Sequence, residues 1–270
     1  FCFVSTHLPP AGHDAVLTAI DHALARGAKV VLSGGEPTLS PKLAEYVNRA
    51  SRGGTLPMQL QTNAVRLDDP ELVQTLVGAG LREAFVSLHG ADAAISDAIT
   101  GAPGTHARTL SGLSQLTAAG VSLTINFVIC DSNASDFPAF VDLVAARWPK
   151  AVVNVSFVAP STDVVPRDRE LVPRYSDVLP HLAEGLQRAE RAALDVRGFE
   201  SMCGVPLCLL PPSLARFASI AEVPAGSDRG EFVYAEACGG CSARERCFGV
   251  RRGYVELHGA LELSPVASGG

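Results

Sequence analysis

KVVLSGGEPT, residues Lys29–Thr38, is the stretch whose reading decides the fold. Ala28–Leu32 is short, apolar and β-branched, which predicts a buried strand. Ser33-Gly34-Gly35-Glu36-Pro37 follows at its C-terminal end. Paired glycines let a ligand approach the peptide groups closely, and Glu36 stands where it can meet a cation. Pro37 lacks an N–H and stiffens the exit from the turn. A strand ending in glycines and an acid is expected at the ligand-binding edge of an α/β sheet. Taken alone, the stretch also reads as an ordinary strand-to-helix turn with a solvated Glu.

Outward from this point, strands and helices alternate. Upstream, Asp14–Ala25 carries apolar residues at helical spacing and is closed by Arg26-Gly27. Downstream, helices are predicted at Pro41–Ala50, Asp69–Val77, Ala91–Ile99, Thr105–Ala119 and Asp136–Arg147. Strands are predicted at Pro57–Gln61, Ala84–Leu88, Val121–Ile129 and Val152–Val158, the last being the final clear strand. Pro173–Ala193 reads as a further helix, with Pro180 predicting a kink or break. Units recurring at about 30-residue intervals indicate βαβ repeats, a parallel sheet and an α/β fold wound into a full or partial barrel. From about Gly198 the chain turns to glycine, proline and cysteine with little periodicity. The expected division is therefore 1–197 and 198–270.

Composition narrows the function classes. With 270 residues, 47% of them hydrophobic, the chain can bury a large core. A net charge of −6 argues against a general nucleic-acid binder. No apolar run reaches the roughly 20 residues that span a bilayer, and Phe1–Pro10 lacks the features of a signal peptide. The expected setting is cytoplasmic, without membrane or nucleic-acid partners.

Five of the seven cysteines lie between Cys203 and Cys247. Cys238-Gly-Gly-Cys241 with Cys247 downstream and Cys208 upstream forms a four-cysteine set suited to one metal centre. Spacing leaves zinc and an iron–sulfur cluster both open. Cys203 reads as a spare, inert thiol and Cys130 as a buried structural one.

Phe1-Cys2, Ser33–Pro37, Gln61-Thr62-Asn63, Ser87-Leu88-His89-Gly90 and the trailing cysteines occur in an order that resembles radical S-adenosylmethionine enzymes. The resemblance implies a partial (β/α)6 TIM-like barrel with a small Cys-rich extension of the SPASM or twitch type. It also implies a [4Fe–4S] cluster, S-adenosylmethionine and an auxiliary iron–sulfur cluster, of the [4Fe–4S] form, on Cys208, Cys238, Cys241 and Cys247. The family signature is CxxxCxxC. Here Cys2 matches its third cysteine and Phe1 the aromatic beside the adenine, and the two earlier cysteines are expected upstream of Phe1.

On the same resemblance, Gly34, Gly35 and Glu36 receive the methionine amino group. Ser87 and Asn126 contact the methionine carboxylate or the ribose, and Asn63 lines the same mouth. Ser87 and Asn126 also have a plain reading as residues that satisfy strand ends. His89 reads as a turn or core histidine, and Asp92 and Asp97 as helix-start and surface charges. The implied activity is reductive cleavage of S-adenosylmethionine to a 5′-deoxyadenosyl radical that modifies a peptide or small-molecule substrate. An electron donor such as flavodoxin or ferredoxin is the implied partner. Two other readings stand beside it: a zinc-stabilised binding module, and a degenerate, non-catalytic relative.

Overall fold

The computed structural model describes residues 9, 11–158, 160, 168–198, 205–210 and 230–267. Phe1, Cys2 and Cys203 lie outside the described residues. Six strands form one sheet: β1 (Val31–Leu32), β2 (Gln59–Thr62), β3 (Glu83–Ser87), β4 (Ser122–Ile129), β5 (Val152–Phe157) and β6 (Asp195–Arg197). They lie in sequence order and every neighbouring pair is parallel. This is the mixed α/β, partial-barrel architecture expected from the alternating pattern.

The helices are α1 (His13–Ala25), α2 (Leu43–Gly53), α3 (Pro70–Ala79), α4 (Ala93–Thr100), α5 (Thr105–Ala118), α6 (Phe137–Arg147) and α7 (Tyr175–Arg191). Crossovers of one hand between consecutive strands place the helices on a single face of the sheet. Toward them point Leu60, Val86, Ile125, Phe127, Val153 and Val155, each no more than 3% exposed. Phe127 packs against Phe140 of α6 at a centroid distance of 4.6 Å. Helix α5 carries Gly112 because a Cβ there would stand 2.3 Å from the Ala64 carbonyl oxygen. Ala64 itself holds a left-handed φ of 56°.

Two expectations are corrected. The sheet does not end with β5: Asp195–Arg197 adds a sixth strand, with Val153 paired to Val196. Three residues flanked by charge are too short for periodicity to show. Pro180 does not break α7, which is continuous from Tyr175 to Arg191. Pro180 is solvent-exposed, so water can satisfy the carbonyl that loses its helical partner.

Beyond the sheet, β7 (Phe232–Val233) pairs antiparallel with β8 (Val250–Arg251), followed by α8 (Arg252–His258). Tyr254 of α8 stacks on Tyr175 of α7 at 4.1 Å. Its hydroxyl accepts from the Tyr175 N–H at 3.0 Å and donates to Glu262. Glu262 also accepts from the Ser176 N–H at 2.9 Å. Burial pushes both tyrosine hydroxyls well above their usual range. This clasp holds the cysteine-rich segment against the start of α7.

Candidate functional site

The C-terminal ends of the strands gather the polar residues. Glu36 precedes a 3-10 turn, Pro37–Leu39, and caps it. Its Oε1 accepts from Thr38 N (3.0 Å), Thr38 Oγ1 (2.7 Å) and Thr62 Oγ1 (2.7 Å). Its Oε2 accepts from Asn63 N at 2.7 Å. One carboxylate thus staples the exit of β1 to the exit of β2. A carboxylate offers about four lone-pair sites, so Oε2 keeps room for a further donor.

The glycines beside it are open. Gly34 has φ +149°, and a Cβ built on Gly34 or Gly35 would meet nothing within 4 Å. Their peptide groups form a bare cradle that a side chain would otherwise occupy. Ser33 Oγ donates to Gln61 Oε1 at 2.9 Å, tying the turn to β2. Asn63 stands exposed at the end of β2. Its Oδ1 accepts from Val65 N at 3.0 Å and its carbonyl accepts from Thr109 Oγ1 at 2.9 Å.

Register brings the remaining candidates into one row. Ser87 pairs with Asn126, and Asn126 with Asn154. Parallel strands about 4.8 Å apart make this a line roughly 10 Å long on the face away from the helices. Asn126 is 8% exposed and lies within β4, not at its end. Its Oδ1 accepts from Asn154 Nδ2 (2.7 Å) and Ser156 Oγ (3.2 Å). The sequence reading omitted Asn154 and Ser156. The signal was present: polar residues alternate with apolar ones in QLQT, EAFVS and VVNVSF. A parallel strand covered on both faces would read as continuously apolar.

His89 is a core histidine. It is 4% exposed, its Nδ1 accepts from Val128 N at 3.4 Å, and burial lowers its pKa to about 4. Asn133 bridges the carbonyls of His89 and Val128 at 2.9 Å each, joining the loops after β3 and β4. Asp92 caps α4 through the Ala94 N–H at 2.7 Å. Asp97 accepts from the His106 and Gly104 N–H groups, which hold its carboxyl below the usual range and fix the loop into α5. Cys130 is fully buried, and its thiol is pushed up to about 12 by burial.

The four C-terminal cysteines come together. Cys208, Cys238, Cys241 and Cys247 line one small cavity with Leu207, Tyr234 and Leu263. Burial, reinforced by the other three thiols, raises the Cys208 thiol, while a backbone hydrogen bond from Ser264 opposes this. Among the described residues, no three His, Cys, Asp or Glu side chains converge closely enough to hold a single metal ion.

A family model described as the Radical SAM superfamily matches residues 1–144, just over half of the 270. The chain belongs to the radical SAM superfamily. With that membership come a [4Fe–4S] cluster and S-adenosylmethionine as the family's cofactors, and enzymes as its members. An AdoMet-dependent heme synthase from Methanosarcina barkeri is 32% identical over 178 residues, covering 62% of this chain and 50% of that protein. A PqqA peptide cyclase from Methylocella silvestris is 37% identical over 121 residues, covering 45% and 32%. This radical SAM chain therefore spans about half or less of the curated relatives it matches. Among solved structures, anSMEcpe with bound AdoMet and a peptide superposes with a TM-score of 0.57 at 16% identity, covering 82% of this chain and 63% of that one. Coproporphyrinogen III oxidase from Escherichia coli gives 0.54 at 15%, covering 70% and 46%. Both share the fold. Among the described residues no helix is long and apolar enough to cross a membrane.

Proposed function

We propose that this chain forms the core of a radical SAM enzyme that acts on a peptide, with a small molecule as the other substrate class that fits, and that residues 198–270 carry an auxiliary iron–sulfur cluster. The observation that carries the reading is the bare Gly34-Gly35 cradle beside a stapled Glu36, level with the open polar row Ser87–Asn126–Asn154. A sulfonium cofactor with a methionine end needs acceptors for its amine and donors for its carboxylate and ribose. Glu36 Oε2 and the strand-end carbonyls supply the acceptors. Ser87 and Asn126 supply donors, and Asn63 borders the same mouth. Cys2 and Phe1 are assigned to the catalytic cluster and the adenine by the sequence motif alone. When bound, cluster and cofactor together supply one-electron reductive cleavage of the sulfonium to a 5′-deoxyadenosyl radical.

The peptide is favoured by two relatives of different kinds, the PqqA peptide cyclases and peptide-bound anSMEcpe. An electron donor of the flavodoxin or ferredoxin type completes the proposal. For the auxiliary site, four thiolates around a cavity suit a multi-iron cluster.

The test uses full-length protein, purified without oxygen and supplied with dithionite and S-adenosylmethionine. Release of 5′-deoxyadenosine is expected, and Asn126→Ala should weaken cofactor binding about tenfold, the worth of one good hydrogen bond. Absence of cofactor cleavage by protein with a full iron complement would overturn the reading. Replacing Cys238 and Cys241 together by serine should remove only the auxiliary iron. Zinc there, with no iron lost, would return the extension to a structural module.

A further inference from the structure

We infer that the segment Leu263–Ala267 is a working part of the cysteine site, donating the Val266 backbone N–H to Cys241 and so helping to set the reduction potential of the centre held there. The inference rests on the auxiliary-cluster reading above and goes beyond it.

Two of the four sulfurs accept main-chain hydrogen bonds. Val266 N donates to Cys241 Sγ at 3.3 Å, and Gly249 N donates to Cys247 Sγ at 3.3 Å. The Val266 donor comes from a short segment far in sequence from the cysteine it serves. The segment is pinned where it passes them. Ser242 N and Ser242 Oγ both donate to the Val266 carbonyl at 3.0 Å, and Ser242 Oγ also reaches the Ala267 carbonyl at 3.1 Å. Cys241-Ser242 and Val266 thus exchange bonds reciprocally, one from each side. Upstream, Glu262 is held by the Ser176 N–H and the Tyr254 hydroxyl, so the segment is anchored at both ends.

Gly249 shows the same economy of geometry. It adopts φ +96°, and a Cβ there would stand 2.5 Å from the Val233 carbonyl oxygen. That conformation turns its N–H back onto Cys247.

An N–H dipole aimed at sulfur stabilises negative charge on it. The reduced form of any centre on these thiolates carries one more negative charge, so the amides favour reduction and raise the potential. Leu263, 8% exposed, and Val250, 1% exposed, help wall the cavity and lower the local dielectric, which strengthens the effect. The four protein thiolates fill the four ligand positions of a four-iron centre.

The experiment uses full-length protein in a Cys2→Ala background, which removes a thiolate from the catalytic cluster and leaves the auxiliary signal to be read alone. Val266 is replaced by α-hydroxyisovaleric acid, an ester that keeps the side chain and deletes only the N–H. Midpoint potentials are measured by EPR-monitored titration. The ester protein should keep its iron and show a more negative potential, while Val266→Ala, which keeps the N–H, should match the parent. Added cyanide should leave the EPR spectrum unchanged. An unmoved potential in the ester protein overturns the inference while the cluster reading stands. An equal shift in Val266→Ala overturns it too, because packing would then be the cause, and a cyanide-shifted spectrum overturns the closed ligand set. Zinc or no iron at the four cysteines overturns the cluster reading itself.

Discussion

Replacing Glu36 separates two jobs that one side chain performs. In Glu36→Ala, Thr38 and Thr62 lose their shared acceptor while remaining 2% and 6% exposed. A buried hydroxyl left without a partner costs about 1–3 kcal/mol. Asn63 is exposed, so its N–H rehydrates at little cost. Thr62 Oγ1 still accepts from the Ala64 N–H at 3.0 Å, so only its proton is stranded while the Thr38 hydroxyl loses its acceptor outright, and together they give a loss of about 2–3 kcal/mol. Glu36→Gln keeps Oε1 and its three donors and replaces only Oε2, opposite the Asn63 N–H, for a loss of about 1 kcal/mol. Urea denaturation monitored by circular dichroism reads both. Cofactor affinity should fall in both variants, by about tenfold or more in Gln, where a charge-assisted bond to the amine is lost from an otherwise intact turn. Equal stability losses in Ala and Gln, or a loss below about 0.5 kcal/mol in Ala, would refute the staple. Gln with unchanged cofactor affinity would show that Glu36 holds the turn and nothing else.

His89 titrates near 4 in the fold against an ordinary value of 6.5, so the unfolded chain binds more protons between these values. Its contribution is present above pH 6.5 and is lost as pH falls toward 4, by about 3 kcal/mol; the difference in unfolding free energy between wild type and His89→Asn should trace that window, and a flat difference would refute it. Gly112→Ala should destabilise by about 1–3 kcal/mol, because the new Cβ meets the Ala64 carbonyl, even though alanine is the better helix former; an unchanged or raised melting temperature would show that α5 can shift. In the metal-free native protein, iodoacetamide should alkylate the half-exposed Cys208, Cys238 and Cys241 and spare Cys130, whose thiol is buried and raised to about 12; rapid labelling at Cys130, read by peptide mass mapping, would contradict its burial.

The order of elements was legible because each helix carries a clean apolar stripe and a polar or glycine stop. Asp69 and Asp92, readable as helix starts, do cap α3 and α4. The turn at Gly34-Gly35-Glu36 was legible as a ligand edge, but the threonines that hold Glu36 were not. Thr38 is two residues away and Thr62 twenty-six, and a hydrogen bond across strands leaves no mark on local pattern. Asn154 and Ser156 were missed for a different reason. A polar residue within an apolar strand reads locally as an interruption of it, whereas the parallel register turns such residues into neighbours. The cysteines were identifiable by type and spacing, but the backbone donors at Gly249 and Val266 were not, since an amide group is carried by every residue except proline.

The strands of the sheet carry two sets of residues under different constraints. Leu60, Val86, Ile125 and Val153 are fixed by helices packed onto them, and truncating any of these would cost about 2–5 kcal/mol for the larger side chains. Thr124 and Val152 face the other way and answer only to what lies over the open side. Exchanges there should change stability by about 0.5 kcal/mol or less. Selection can therefore rewrite the chemistry of this surface one alternate position at a time while the scaffold stays folded. A laboratory search for new substrates would do best to vary those positions and leave their immediate neighbours alone.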